Sequence, residues 1–132
     1  MNQADAAIHD LHVQWADAIR RGDVAAALEL LTIDYVLWAP SSPAVKGRDA
    51  VGVLLATALH AVEIDPQFES EERLVAGDLA VERGWDVQTF RSRSGGEAQT
   101  RRQRVFLVLR RGEDGAWRYA RGISQPGPVA EG

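Results

Sequence analysis

The stretch WADAIRRGDVAAALELLTIDYVLWAPSSPAVKGRDAV, residues 15–51, decides the fold because helix and strand signals alternate within it. Gly22 suits the left-handed residue that ends a helix, and Asp23 suits the N-cap of the next one. Apolar residues spaced three and four apart extend the first helix back to about residue 3. The DYVLWA segment predicts a strand, which the turn-forming PSSP ends. The predicted elements are, in order, helix 3–21, helix 24–31, strand 34–39 and helix 48–61.

The second half of the chain changes to period-two alternation, which is typical of half-buried strands. Four such segments, separated by glycine-containing turns, cover residues 64–76, 79–91, 98–111 and 117–124. We therefore predict an α+β fold in which three helices pack on one face of a curved antiparallel sheet. The 132 residues predict one domain over 1–125, followed by a flexible Pro/Gly-rich tail over 126–132.

The composition excludes several classes of protein. The hydrophobic fraction of 45% and the charged fraction of 26% are those of an ordinary globular domain. The net charge of −4 argues against a nucleic-acid partner. No apolar run approaches the roughly 20 residues of a membrane span, so we expect no membrane partner. Because the first ten residues show no secretory signal, we expect a cytoplasmic protein.

The quoted stretch resembles the opening of SnoaL-like and DUF4440 members of the NTF2-like superfamily. The shared features are an aromatic residue seven positions before Gly22-Asp23, a strand after the second helix, and a turn ending in Lys46-Gly47 that enters the third. The resemblance covers about residues 5–125. It implies a cystatin-like, cone-shaped α+β barrel with an apolar pocket between helices and sheet, commonly in a homodimer. The superfamily includes isomerases, cyclases, dehydratases and domains without catalysis, so the fold does not decide the function.

Ketosteroid isomerase is the most informative relative, because Gly22-Asp23 sets the alignment without gaps. Its oxyanion-hole tyrosine falls on Trp15 and its general-base aspartate on Ala39. Its second acid falls on Val105, or on Gln103 if the hairpin register slips. Alanine cannot accept a proton, and the indole N–H of Trp15 is a weaker donor than a phenol. With no replacement carboxylate expected nearby, we predict that the protein does not isomerise ketosteroids.

The candidate catalytic groups are few: His12, Arg83 and Gln103. His12 lies on the apolar stripe of the first helix, where it is either an acid–base group or an ordinary partly buried histidine. Arg83 shares one face of its strand with Val81, Trp85 and Val87, and the family alignment turns that face toward the pocket. A guanidinium there needs a partner, which is an internal carboxylate, the face of Trp15 or Trp85, or an anionic ligand. Glu82 and Asp86, on the other face, are predicted to pair with Arg102 and Arg104.

The expected ligand is a small apolar or aromatic molecule. The predicted pocket residues are Trp15, Tyr35, Ala39, Leu55, Arg83, Trp85 and Val105. His9 and His12 have the spacing of two metal ligands but no third ligand beside them, so no metal is expected. The sequence also has no phosphate-binding loop, and we expect no cofactor.

The last strand carries Trp117, Tyr119 and Ile123 on one face. If that face is the outside of the sheet, a second copy of the chain is the cover that we expect, which predicts a homodimer.

Two functions remain open. One is a SnoaL-like enzyme that cyclises, isomerises or dehydrates an apolar substrate, and the other is a non-catalytic ligand-binding or dimerisation domain.

Overall fold

The computed structural model describes residues 2–127, so most of the predicted tail, residues 128–132, lies outside the described residues. Pro126, the first residue of that predicted tail, belongs to the last strand. The elements in chain order are α1 Gln3–Arg20, α2 Val24–Leu28, β1 Leu31–Trp38, β2 Val45–Lys46, α3 Arg48–Ala61, β3 Val62–Ala76, β4 Leu79–Ser92, β5 Gln99–Arg111 and β6 Trp117–Pro126.

The strands form one curved, unclosed six-stranded sheet in the order β2-β1-β6-β5-β4-β3. The meander from β3 to β6 is antiparallel, as the turns predicted. The prediction of a wholly antiparallel sheet is wrong, because β1 runs parallel to β6. The short strand β2, which adds to the free edge of β1, was not predicted.

The helix ends follow the capping residues of the sequence. The side chain of Asn2 accepts the backbone N–H of Asp5 at 2.8 Å, and Gly22 after α1 has a φ of 66°. The side chain of Asp23 accepts the N–H of Ala26 at 3.0 Å. Helix α2 ends three residues earlier than predicted. The reason is that Leu31 already pairs with Tyr119, so the sheet takes the residues that helical periodicity would have assigned to α2.

The apolar stripe of α1 packs against the sheet and forms the main core. Ile8 and Leu11 are buried there with Leu31, Leu109 and Trp117. A second cluster at the end of α1 contains the buried residues Ala18, Ile19, Ala27 and Leu59. The stripe predicted from the spacing of apolar residues is therefore the buried face of α1.

The inner and outer faces of β6 differ from the prediction. Trp117 and Tyr119 are only 6% exposed and lie in the core, whereas Ile123 is on the outer face and 40% exposed. A bulge explains the difference: Tyr119 pairs with Leu109 and Arg121 with Val108, so Ala120 is an extra residue. After this bulge the alternation is reversed, and Ile123 no longer shares a face with the two aromatic residues.

No helix among residues 2–127 is long and apolar enough to span a membrane.

Candidate functional site

A cavity of about 850 Å³ lies between α1 and the inner face of the sheet. Its apolar wall includes Trp15, Leu37, Phe68 and Val105. The polar side chains on its inner lining are those of His12, Tyr35, Asp86, Gln88, Arg101, Gln103, Tyr119 and Ser124. This combination of apolar walls and a few convergent polar groups is typical of a small-molecule site.

Most of the residues that the sequence placed in the pocket do line it. They are His12, Trp15, Tyr35, Ala39, Gln103 and Val105. Leu55 is not among the lining residues and packs instead beside the second core cluster. Arg83 and Trp85 are also absent from the cavity wall, so three of the predicted pocket residues are misplaced.

The error at Arg83 and Trp85 has one cause, which is the orientation of β4. Glu82 is the inward residue, only 1% exposed, and Gly84 beside it is also buried. Because strand side chains alternate, Asp86 and Gln88 follow Glu82 into the cavity and the odd-numbered residues face outward. Gly84 allows the close approach of β3, since a β-carbon there would overlap the carbonyl oxygen of Glu69.

On the outer face, Arg83 is exposed and forms ion pairs with Glu71 and Glu72 at 3.1 and 3.0 Å. The prediction that Arg83 faces the pocket is therefore wrong. The ring of Trp85 lies beneath the guanidinium of Arg102, 4.4 Å from its centroid. Arg102 forms its ion pair with Glu69.

The floor of the cavity contains a hydrogen-bonded chain of three side chains. Nδ1 of His12 lies 2.7 Å from the hydroxyl of Tyr119, and Nε2 lies 2.6 Å from Oε1 of Glu82. The ring of Phe68 packs on His12 with 4.6 Å between centroids. Both nitrogens of His12 are thus fixed by partners on different strands, and the imidazole cannot rotate without losing both bonds.

The second carboxylate oxygen of Glu82, Oε2, also has hydrogen-bond partners within the protein. Ser70 Oγ donates to Oε2 at 2.7 Å, and Arg73 lies 2.7 Å from the same oxygen through one of its terminal nitrogens. Burial on its own would raise the pKa of Glu82, but the hydrogen bonds from His12, Ser70 and Arg73 together lower it below the ordinary value. Glu82 is therefore an ionised, internally neutralised carboxylate. The predicted pairing of Glu82 with Arg102 and Arg104 is wrong.

Asp86 is the carboxylate that the sequence analysis failed to place in the cavity. Its Oδ2 accepts the side-chain amides of Gln88 at 2.9 Å and Gln103 at 3.4 Å. No arginine of residues 2–127 forms an ion pair with it, contrary to the predicted pairing with Arg102 and Arg104. Burial raises the pKa of Asp86, and the two amides only partly oppose that effect. The cavity thus contains a carboxylate, whereas the sequence analysis expected none near Ala39.

Two tyrosines add hydroxyl groups to the wall. Burial raises the pKa of Tyr35 to about 12. Burial, followed by the nearby charge of Glu82, also raises the pKa of Tyr119 well above 10. Both phenols consequently keep their protons at neutral pH. Gly122 leaves room for the Tyr35 hydroxyl, which a β-carbon at that position would overlap.

Within residues 2–127, no group of three or more His, Cys, Asp or Glu side chains is arranged to hold a metal ion.

A family model described as the SnoaL-like domain matches residues 12–120. The chain belongs to the SnoaL-like domain family. Among solved structures, a ketosteroid isomerase-like protein from Erwinia carotovora atroseptica SCRI1043 is 25% identical with a TM-score of 0.79, over 94% of this chain and 96% of that one. No protein of curated function matches the sequence.

Two further solved structures support the fold of this SnoaL-like protein. A conserved protein from Planctomyces limnophilus is 24% identical with a TM-score of 0.86, over 96% of this chain and 100% of that one. An NTF2-like protein with a cystatin-like fold from Novosphingobium aromaticivorans is 21% identical with a TM-score of 0.79, over 96% and 84%. The resemblance to NTF2-like proteins inferred from the sequence is confirmed.

The buried network around Glu82 yields a test of stability. Glu82→Leu removes the carboxylate partner of His12 and leaves Arg73 with Asp5 alone, and breaking a buried pair in this way costs about 3–5 kcal/mol. Because the pKa of Glu82 is lowered, the stabilisation is present above its ordinary value of 4.5 and is lost as the pH falls toward the folded-state value. Urea unfolding of both proteins should show a difference in unfolding free energy that shrinks on acidification.

Glu72→Leu is the matched control, since Glu72 forms an exposed ion pair with Arg83. Exposed pairs contribute about 0–1 kcal/mol. Equal losses of stability in the two variants would contradict the role given to Glu82.

Proposed function

We propose that this protein is an enzyme that moves protons on an apolar or aromatic substrate, as in isomerisation, cyclisation or dehydration. Asp86 is the proton acceptor. The observation that carries the proposal is this carboxylate in an otherwise largely apolar cavity, with one oxygen held by two amides and no ion pair to any residue of 2–127. The name of the ketosteroid isomerase-like relative supports the same class of reaction.

The environment of Asp86 suits a general base. A carboxylate removes a carbon-bound proton more effectively when its pKa is raised from the ordinary range toward neutral pH. Burial supplies this shift, and the amides of Gln88 and Gln103 orient the carboxylate without neutralising it. Gln103, predicted as a candidate polar group, thus acts by positioning Asp86 and not by taking a proton.

The Tyr119–His12–Glu82 chain supplies the second proton-handling group. A His12 ring protonated on both nitrogens donates to Glu82 and to Tyr119, which leaves the phenol proton for a substrate oxygen. When the ring is neutral, its Nδ1 instead accepts a hydrogen bond from the phenol O–H of Tyr119. The chain can therefore donate a proton to the substrate while Asp86 accepts one, or accept a proton while Asp86 donates one. An isomerisation or dehydration requires such a pair of groups.

Hydrogen exchange on a ketone tests Asp86 without knowledge of the natural substrate. We expect the protein to accelerate exchange of the α-hydrogens of 2-tetralone, a neutral aromatic ketone, in deuterated buffer, followed by proton NMR. Asp86→Asn should reduce the protein-dependent rate about 10²–10⁴-fold, which is the usual contribution of a positioned base. The rate should also rise with pH through the raised pKa of Asp86.

The control is Asp10→Asn, which makes the same chemical change at an exposed site on α1 and should leave exchange unaltered. If wild-type protein binds 2-tetralone without accelerating exchange, the cavity belongs to a non-catalytic ligand-binding domain, and the proposal is wrong.

We also propose that the outer face of the sheet is a homodimer interface, although not through the residues first predicted. Trp38 pairs with Ile123, and Ile123 with Phe106, so the three form one row across β1, β6 and β5. Their exposed fractions are 59%, 40% and 40%. Val81 and Val108 extend the apolar surface in the next row. A second copy, related by a two-fold axis, presents the same row of residues. The two rows can therefore pack against each other and bury their apolar surface.

Sedimentation equilibrium at micromolar concentration should give twice the 14.4 kDa chain mass. Phe106→Glu should produce a monomer, because it places a charge in the centre of the interface. Val53→Glu, at an apolar residue of α3 that is 70% exposed, should remain dimeric. A wild-type protein that sediments as a monomer would contradict the proposed interface.

A further inference from the structure

The inner faces of β4 and β5 form a small polar panel in the wall of the cavity. Asp86 lies opposite Gln103 in the strand register, and Gln88 lies opposite Arg101. All four residues line the cavity. The panel thus places Arg101 diagonally across from Asp86, the carboxylate that we propose as the base.

Among residues 2–127, two arginines of β5, Arg101 and Arg104, have no acidic partner, and of these two only Arg101 lines the cavity. Arg83, Arg102, Arg110 and Arg111 each form an ion pair with a carboxylate. No ion pair joins Arg101 to any carboxylate of residues 2–127. Its guanidinium instead lies 5.2 Å from the centroid of the Phe90 ring. Stacking of this kind holds the planar group in place and leaves its N–H donors available.

We propose that Arg101 binds a carboxylate of the substrate, so that the cavity takes an apolar or aromatic acid. The inference rests on the proposed function for the identity of the reacting centre. Diagonal neighbours on adjacent strands lie about 7–8 Å apart. The substrate therefore carries its carboxylate a few bonds from the carbon whose proton Asp86 takes, with its apolar body among Trp15, Phe68 and Val105.

Physical chemistry favours this occupant over a neutral one. The fork of N–H groups on arginine matches the geometry of a carboxylate, and the charge-assisted hydrogen bonds are about twice as strong as neutral ones. Binding at Arg101 also brings the substrate in with a fixed orientation, since the rest of the wall offers mainly apolar contacts. The anchoring role that the sequence suggested for Arg83 thus fits Arg101, which is inward on β5.

The test compares 2-naphthoate with 2-naphthamide, a neutral molecule of nearly the same shape, by titration calorimetry. Arg101→Gln should weaken binding of 2-naphthoate by about tenfold or more, which corresponds to the loss of a charge-assisted hydrogen bond. Binding of 2-naphthamide should change by less than about twofold, because its apolar contacts remain. Higher salt should weaken only the naphthoate complex of the wild-type protein.

Arg104→Gln is the matched control, because Arg104 is on the same strand with its guanidinium over Trp85 on the outer face. It should leave both affinities unchanged. Equal naphthoate affinity in wild type and Arg101→Gln, or equal weakening of both ligands, would overturn the inference.

The two proposals fail in different experiments. Arg101-dependent binding of naphthoate without Asp86-dependent exchange of 2-tetralone would overturn the proposed reaction alone. If exchange depends on Asp86 but Arg101→Gln leaves the affinity for naphthoate unchanged, only the proposed carboxylate site is overturned.

Discussion

The buried carboxylate of Glu82 is the constraint on which the rest of this structure depends. It is fully enclosed and receives His12 from α1, Ser70 and Arg73 from β3, so it joins a helix and two strands at one point. An ionised group in this position can be buried only if these partners are all present. A slip of β4 by one residue would bring Arg83 inward and expose Glu82, leaving His12 without its carboxylate partner and Arg73 with Asp5 alone. The network therefore sets which face of β4 belongs to the interior.

The chemistry of the cavity follows from that orientation. With Glu82 inside, alternation brings Asp86, four residues further along the chain, into the cavity. Glu82 is matched by a cation and several donors, which lower its pKa, whereas Asp86 has only two neutral amides, and burial raises its pKa. The pKa values of two carboxylates on one strand face are thus shifted in opposite directions. One stabilises the fold, and the other is kept as a base at some cost in stability, as functional groups often are.

The sequence predicted the helices, the antiparallel meander from β3 to β6 and much of the cavity wall, because periodicity and capping are local properties. The sequence did not predict which face of a strand is buried where that depends on residues far away in the chain. Alternation along β4 is satisfied by either face, and the apolar side chains of Val81 and Trp85 favoured the wrong one. The deciding partners, His12 and Arg73, lie far away in sequence. The bulge at Ala120 likewise has no local signal, so Trp117 and Tyr119 were assigned to the wrong side of the sheet.

The ionisation of Asp86 tests the account most directly, and carbon-13 NMR of labelled aspartate carboxyl groups measures it. The account predicts one aspartate resonance that titrates above the ordinary value of 3.8 and disappears in Asp86→Asn. An Asp86 resonance that titrates at or below that value would contradict it. Such a result would mean that the carboxylate is solvated or paired with a cation, and is not the buried base of this cavity.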